Sequence, residues 1–340
     1  MTIVTNGNSF QNVKLNRLNG EEIVIDKKRI PGLFMTLAAV LIIGITSIFM
    51  INKAIDHKRT IGVSYMTMNN QFYEVINNDI RKVVESHGDN LLVYDPQMDL
   101  NRQTDQIRSF IDQNAAGIII NPIDSNALAP LLSEAKSKGI PVIVVDAPLT
   151  EDSRAAVTIT SDNYQAGVMC AEDVLKHWDK AKILLLEHSQ VISASDRIRV
   201  FTDTLQSHPG FEIADRAECE GQLELAMPAV EAMLEKHPDA DIIMALNDPS
   251  AMGALAALEA AGNDHVKIYG VDGSPDVKQQ LLRNGQMYAT AAQSPSTMGN
   301  LAAESLYKLL DQQNVESEII VSVKLLKKED CTAESAKGWQ

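Results

Sequence analysis

The sequence predicts an α/β protein of two similar lobes, each built on a parallel sheet, carried behind one N-terminal membrane-spanning helix. Three observations predict it. Short runs rich in Val and Ile alternate with longer segments of 3.6-residue period from Thr60 onward. Part of that pattern recurs about 125 residues later, and a long uncharged stretch precedes all of it.

The uncharged stretch is Leu33 to Ile51, "LFMTLAAVLIIGITSIFMI", nineteen residues that span about 28 Å as a helix, close to a bilayer's hydrocarbon core. Lys14, Arg17, Lys27, Lys28 and Arg29 precede it, and Lys53, Lys58 and Arg59 follow. The mild excess of positive charge ahead of the span places residues 1–32 in the cytoplasm as a tail, 33–51 across the membrane, 52–58 as a stalk and the remainder outside. The segment "NKAIDHKRT" after the span has no small-x-small cleavage site, and no cysteine follows it closely enough for lipidation.

The strands expected beyond the stalk are "TIGVSY", "NLLVYD", "GIIINP", "PVIVVD", "AVTITSD", "KILLLEH", "DIIMALND", "KIYGVDG" and "YATAAQ". Apolar runs without alternation fit strands buried on both faces, and helices between them make the sheets parallel. Phe72–His87 is one such helix: Phe72, Ile76, Ile80, Val83 and Val84 share a face, and Gly88 ends it. "GIIINPIDSNALAPLLSEAKSKGIPVIVVDAP" resembles "DIIMALNDPSAMGALAALEAAGNDHVKIYGVDGSP", so that Ser125 matches Ser250, Asp146 matches Asp272 and Asn70 matches Asp196. A duplicated lobe accounts for those shared offsets.

Composition narrows the function. Acidic residues number 45 against 30 basic, a net charge of −15 that disfavours a nucleic-acid partner. Cys170, Cys219 and Cys331 are too few and too far apart for a disulfide framework or a metal cluster. There is no GxSxG elbow, HExxH pair, dinucleotide fingerprint or P-loop. "DPQMDLNRQTD" lacks the central glycine of a calcium loop, which leaves Asp99 as a helix cap. The expectation is a protein that is not an enzyme and needs neither cofactor nor metal.

Ligands of open parallel sheets sit beyond the C-terminal strand ends. Those ends carry Met66, Asn69, Asn70, Phe72 and Tyr73, then Asn121 and Asp124, then Asp146, and in the second half Ser195, Asp196, Arg197, Asn247, Asp248, Asp272 and Gln293. Carboxylates accept, amides both donate and accept, and Arg donates as a fork, a mixture suited to a polyol. Phe72 and Tyr73 can pack on the C–H face of a sugar ring. Each also has a plainer reading: Asn69 or Asn70 caps the helix, Asp124 and Ser125 cap the next one, Asp196 caps a third, and Phe72 is core. Asn69 is assigned to the cap and Asn70 to the ligand.

These pieces, "NNQFY", "NPIDS", "PVIVVD", "SDN", "SASDRIRVF", "HPDADIIMALND", "AMGAL", "GVDGSPD" and "ATAAQ", taken in order, resemble the ribose-binding type of periplasmic sugar-binding protein. The resemblance runs from about Arg59 to Lys328 and implies the type I periplasmic binding protein fold, two Rossmann-like lobes joined by a three-segment hinge. It implies hinges near Ser161–Asn163, near Gln293 and around 320–323. Lobe 1 is then 59–162 plus 294–321, lobe 2 is 163–293 plus 322–330, and 331–340 is a C-terminal tail. It further implies a monosaccharide held by Asn70, Phe72, Tyr73, Asp146, Arg197, Asn247, Asp272 and Gln293. The implied partner is an ABC permease, with a membrane sensor histidine kinase as the alternative. Three positions depart from the ribose pattern: Met66 replaces a polar residue, Ala147 replaces the arginine after the aspartate, and Gly221 stands where an aromatic is usual. They mark candidate specificity positions and leave the ligand as a pentose, hexose, deoxy sugar or other polyol. Repressors of the lactose-repressor type share the fold but carry a helix-turn-helix, where this chain has the expected span.

Overall fold

The computed structural model describes residues 12–16, 22–26, 35–36, 38–47, 58–150, 155–283 and 285–339. It divides into two units, residues 1–58 and 59–340. In the first, β1 (Asn12–Asn16) and β2 (Glu22–Asp26) pair antiparallel, with Asn12 opposite Asp26 and Asn16 opposite Glu22. Residues 38–47 are helical and exposed. Positions 33–34, 37 and 48–51 of the expected span, and 52–57 of the expected stalk, lie outside the described residues. No described helix is long and apolar enough to cross a membrane.

The second unit holds two six-stranded sheets. The first is formed by β3 (Thr60–Ser64), β4 (Asn90–Tyr94), β5 (Gly117–Ile120), β6 (Val142–Val145), β7 (Val157–Ser161) and β13 (Glu318–Val321). Their order is β4-β3-β5-β6-β7-β13, all parallel. The second contains β8 (Ala181–Glu187), β9 (Phe211–Glu218), β10 (Ile242–Ala245), β11 (Lys267–Asp272), β12 (Met287–Ala292) and β14 (Lys324–Leu326). Its order is β9-β8-β10-β11-β12-β14, parallel except for the edge strand β14. The two sheets are thus wound alike, each reversing direction between its first and third strands, where ligands of such sheets bind.

The helices are α1 (Gln71–Ser86), α2 (Leu100–Asp112), α3 (Ala129–Ser137), α4 (Asn163–His177), α5 (Ile192–Leu205), α6 (Leu223–Lys236), α7 (Asp248–Ala260), α8 (Pro275–Arg283) and α9 (Pro295–Leu310). Strand periodicity decides which helices each face meets. Ile119, Ile143 and Val145 share a core with Ile76, Ile80 and Val84 of α1 and Met298 and Leu306 of α9. Their neighbours Ile118, Ile120, Val142 and Val144 share another with Ile107 and Phe110 of α2 and Leu131 and Leu132 of α3. In the second sheet α4 pairs with α5, and α6 with α7. The chain passes between the sheets three times, after β7, after β12 and after β13.

All nine expected strands form. The sequence reading did not include β9, whose Glu212, Asp215, Arg216 and Glu218 belong to an edge strand, nor the short β13 and β14 or the β1–β2 hairpin. Asp99 caps α2, its Oδ1 accepting from the Arg102 amide at 3.0 Å. Asp124 instead accepts from Asn126 and Ala127 in a turn ahead of α3, whose first turn has no side-chain cap. Asp196 is no cap either: it lies inside α5 and pairs with Arg199 at 2.9 Å.

Candidate functional site

The C-terminal ends of the two sheets enclose a cavity of about 270 Å³. That is near the lower end for small-molecule sites, about 300–1,000 Å³, a size for one monosaccharide and not a chain of them. All eight side chains named from the sequence, Asn70, Phe72, Tyr73, Asp146, Arg197, Asn247, Asp272 and Gln293, line it, as do Met66 and Gly221. Ala147 does not: it is fully buried in the core beside the cavity. The backbone turns at Asp146 so that the carboxylate, and not its neighbour, faces the ligand space.

Asp146 follows β6 and Asp272 ends β11, matching places at the strand ends, and both have positive φ, 70° and 137°. Side chains rarely accept such a backbone, and it persists where the surroundings enforce it, commonly at functional sites. One oxygen of Asp146 accepts from the Tyr73 hydroxyl and from Asn121 Nδ2, each at 3.2 Å. Asn121 is itself fixed by the Met66 amide and the Val145 carbonyl, so it supports the site without lining it. Asp272 accepts from Gln293 Nε2 at 2.6 Å and from the Asp248 amide at 3.3 Å.

Arg197, almost wholly buried, is the central cation. Its Nε donates to Asn163 Oδ1 at 2.7 Å, Nη1 to the Leu246 carbonyl at 2.9 Å and Nη2 to Gln293 Oε1 at 3.3 Å; Nη1 lies 4.0 Å from Asp272. Its acceptors come from the starts or ends of α4, β10 and β12, so one guanidinium ties together two of the three passages between sheets. Far from being solvated, Arg197 is met by groups from four elements.

The asparagine assignment is reversed. Asn70 caps α1, with φ −121° and ψ 120°, and its Oδ1 accepts from the Phe72 amide at 2.9 Å. Only its Nδ2 is left to meet a ligand. Asn69 precedes the cap and donates its amide to Thr67 Oγ1 at 3.1 Å. Asn247 is similarly committed: its Oδ1 caps α7 through Ser250, and its Nδ2 donates to the Gly221 carbonyl at 3.0 Å. A Cβ on Gly221 would stand 2.8 Å from that Nδ2, and its φ is +69°, so an aromatic there would break both the turn and this bond. Phe72 and Tyr73 are 2% and 6% exposed, so little of either ring is open to the cavity.

Among the lining residues that the sequence reading does not single out, His188 and Trp339 stand out. His188, after β8, is buried, and burial pushes its imidazole towards the neutral form. Trp339 reaches the cavity from the segment after β14 and meets Phe72 edge-on, ring centres 5.6 Å apart. The signal was a tryptophan in an otherwise polar segment, one of only two in the chain.

Burial raises the pKa of Asp146, Asp248 and Asp272, opposed by Arg197 at Asp146 and Asp272 and reinforced at Asp272 by the nearby Asp248 carboxylate; Asp248 is pushed up to about 6. A carboxyl whose folded pKa exceeds its unfolded value of about 3.9 binds more protons when folded, so its contribution is full below about pH 4 and is lost as pH rises through 6. Asp248 by itself is therefore expected to take about 2–3 kcal/mol from the unliganded protein between pH 4 and 7, while carboxyls held low, such as Asp79, act the other way. Polyol hydroxyls donate to ionised carboxylates, so affinity rises across the same window. Thermal unfolding and calorimetric titration against pH, on wild type and Asp248→Asn, check the pair of slopes; unliganded stability with the same pH slope in both contradicts the assignment.

A family model described as a periplasmic binding protein domain matches residues 61–314. The ribose import binding protein of Bacillus subtilis is 29% identical over 268 residues, covering 78% of this chain and 86% of that protein. The D-apiose import binding protein of Paraburkholderia graminis is 29% identical over 222 residues, covering 65% of this chain and 70% of that protein. A Bacillus halodurans ABC transporter solute-binding protein, solved with myo-inositol, superimposes with TM-score 0.77 at 22% identity, over 83% of this chain and 98% of its own. With its two alike-wound sheets facing one polar cavity, the chain belongs to the periplasmic binding protein family, in its type I form, and is a solute binder, not an enzyme.

Proposed function

We propose that the protein captures one monosaccharide or closely related polyol between its lobes outside the cytoplasm and presents it to an ABC permease. The observation that carries this reading is the pair of matched aspartates, Asp146 and Asp272, set with Arg197, Asn70 and Gln293 around a space of about 270 Å³. Lobe 1 is 59–162 plus 294–321 and lobe 2 is 163–293 plus 322–330, and they turn about the passages near Ser161–Asn163, Gln293 and 320–323. Closure is favoured by ligand because only the closed form lets both lobes bond it. Residues 33–51 anchor the protein in the membrane, with 1–32 cytoplasmic. The relatives named as import binding proteins support a permease over a sensor kinase as the partner.

A thermal-shift panel of pentoses, hexoses, deoxy sugars and cyclitols on the full chain tests this. A cognate compound at 100 times its dissociation constant adds about 2.7 kcal/mol of stability. Sugar phosphates and uronates give no shift, because Glu220, Glu224 and Asp276 also line the cavity and repel anions. A flat response to every neutral sugar and cyclitol, or a shift only with the anionic ones, contradicts the proposal.

A further inference from the structure

The segment after β14 does not trail away from the second lobe. Cys331 and Ala336 are buried, the latter at 1% exposure. Two short 3₁₀ turns, Lys328–Asp330 and Ser335–Lys337, lie against α8. Lys278 of α8, itself buried, donates from Nζ to the Gly338 carbonyl. The next residue is Trp339. The backbone leading to it is thus fastened to lobe 2, while its ring touches Phe72 of lobe 1 and lines the cavity.

That placement answers a shortage in the site. Gly221 leaves no aromatic on the second lobe's loop after β9, and the carbonyl and space there are taken by the Asn247 amide. Phe72 and Tyr73, on the first lobe, are packed edge to face against each other at 5.6 Å and are almost wholly buried. Trp339 is only partly buried, so part of its indole remains open to the cavity. Indole faces pack well on the C–H face of a sugar ring, and edge-to-face aromatic pairs contribute beyond their buried area.

We infer that segment 328–339 is a working part of the binding site: Trp339 is the second lobe's aromatic wall, and its contact with Phe72 is a latch made only when the lobes are closed. The inference rests on the capture reading and adds to it the class of ligand face recognised, a ring with an apolar side. If the lobes separate about the three passages, Trp339 travels with lobe 2 and leaves Phe72. The ring therefore reports closure as well as contributing to it. Ser125 Oγ, which accepts from the Ile192 amide at 3.3 Å across the same cleft, is a second contact of this kind, made without any aromatic.

The chain's two tryptophans make the test direct. Trp178 packs on Tyr288 at 5.0 Å and Tyr269 at 6.2 Å within lobe 2 and does not line the cavity. D-Ribose, L-arabinose, D-allose and myo-inositol are titrated by calorimetry into full-length wild type, W178F, W339F and W339A, and tryptophan emission is followed in parallel. For each compound that wild type binds, the emission of W178F changes on binding and that of W339F stays flat. Affinity falls at least about tenfold in W339A and within about threefold in W339F, since phenylalanine keeps a stacking face. W339A keeps its unliganded unfolding temperature, so the loss reads as binding and not as unfolding. A W339A variant that binds like wild type, or W178F emission indifferent to a bound sugar, overturns the wall and latch while leaving capture intact. A wild type that binds none of the four and none of the thermal-shift panel overturns capture, and this inference with it.

Discussion

Replacing Asp272 with alanine is expected to weaken sugar binding by about a hundredfold or more, about 2.7 kcal/mol, measured by calorimetric titration of the cognate sugar. The carboxylate is the lobe-2 counterpart of Asp146 and is held by Gln293 Nε2 at 2.6 Å and the Asp248 amide at 3.3 Å. Both donors lose their partner when it goes, and so do the ligand hydroxyls that would meet it in a water-poor cleft. Asn at this position keeps one acceptor and its shape, and its loss is expected to be nearer tenfold. Glycine is the informative control, because a φ of 137° is comfortable for glycine and strained for alanine. If Asp272→Gly folds and unfolds normally yet still fails to bind, the carboxylate and not the backbone carries the effect. Removing Asp272 also removes a buried carboxyl whose own pKa is raised by burial and by Asp248, so the loss of stability with rising pH should flatten. Undiminished affinity in both variants rules Asp272 out of the site.

The strands were legible wherever burial on both faces writes a continuous apolar run, as in Ile118–Ile120 and Val142–Val145. They were not legible where an edge position lets charge alternate with apolar residues, which hid Phe211–Glu218. The placement of Asp146, Asp272 and Gln293 followed from the rule that strand ends meet the ligand, and required no side-chain detail. The division of labour between Asn69 and Asn70 did require it. Both residues can cap, and only the extended backbone at Asn70 decides which one does. Ala147 illustrates the same limit, since the positive φ of Asp146 sends one side chain to the cavity and its neighbour to the core. For Trp339 the sequence offers only an isolated tryptophan in a polar segment; its position depends on Lys278, Ala336 and Phe72, contacts that no local pattern encodes.

Arg197→Met is the second large effect expected, and it should appear in stability as well as in binding. The guanidinium is the one permanent cation among the described residues lining the cavity, and it opposes the charges of Asp146 and Asp272. Methionine fills a similar volume but leaves those carboxylates uncompensated and strips a donor from Asn163 Oδ1, the Leu246 carbonyl and Gln293 Oε1. Removing one partner of a buried charge pair typically destabilises by about 3–5 kcal/mol. The unliganded variant should therefore melt well below wild type at pH 7, and sugar affinity should fall by more than about a hundredfold. Arg197 opposes the raised pKa of Asp146 and of Asp272, so without it both carboxyls rise further. Raised folded values give stability that is present at low pH and lost as pH rises, so the variant should recover more than wild type on going from pH 7 to 5. Lysine separates charge from geometry: it restores the counter-charge and the wild-type pH slope, but its single ammonium cannot span three acceptors on three elements, so binding stays impaired. A methionine variant with wild-type stability and an unchanged pH slope would show that Arg197 is not the counter-charge. One in which only binding failed would place Arg197 on the ligand and remove it from the hinge. The proposed function gives it both roles: it lines the cavity, and the groups it ties, Asn163 after β7 and Gln293 after β12, lie where the chain passes from one sheet to the other.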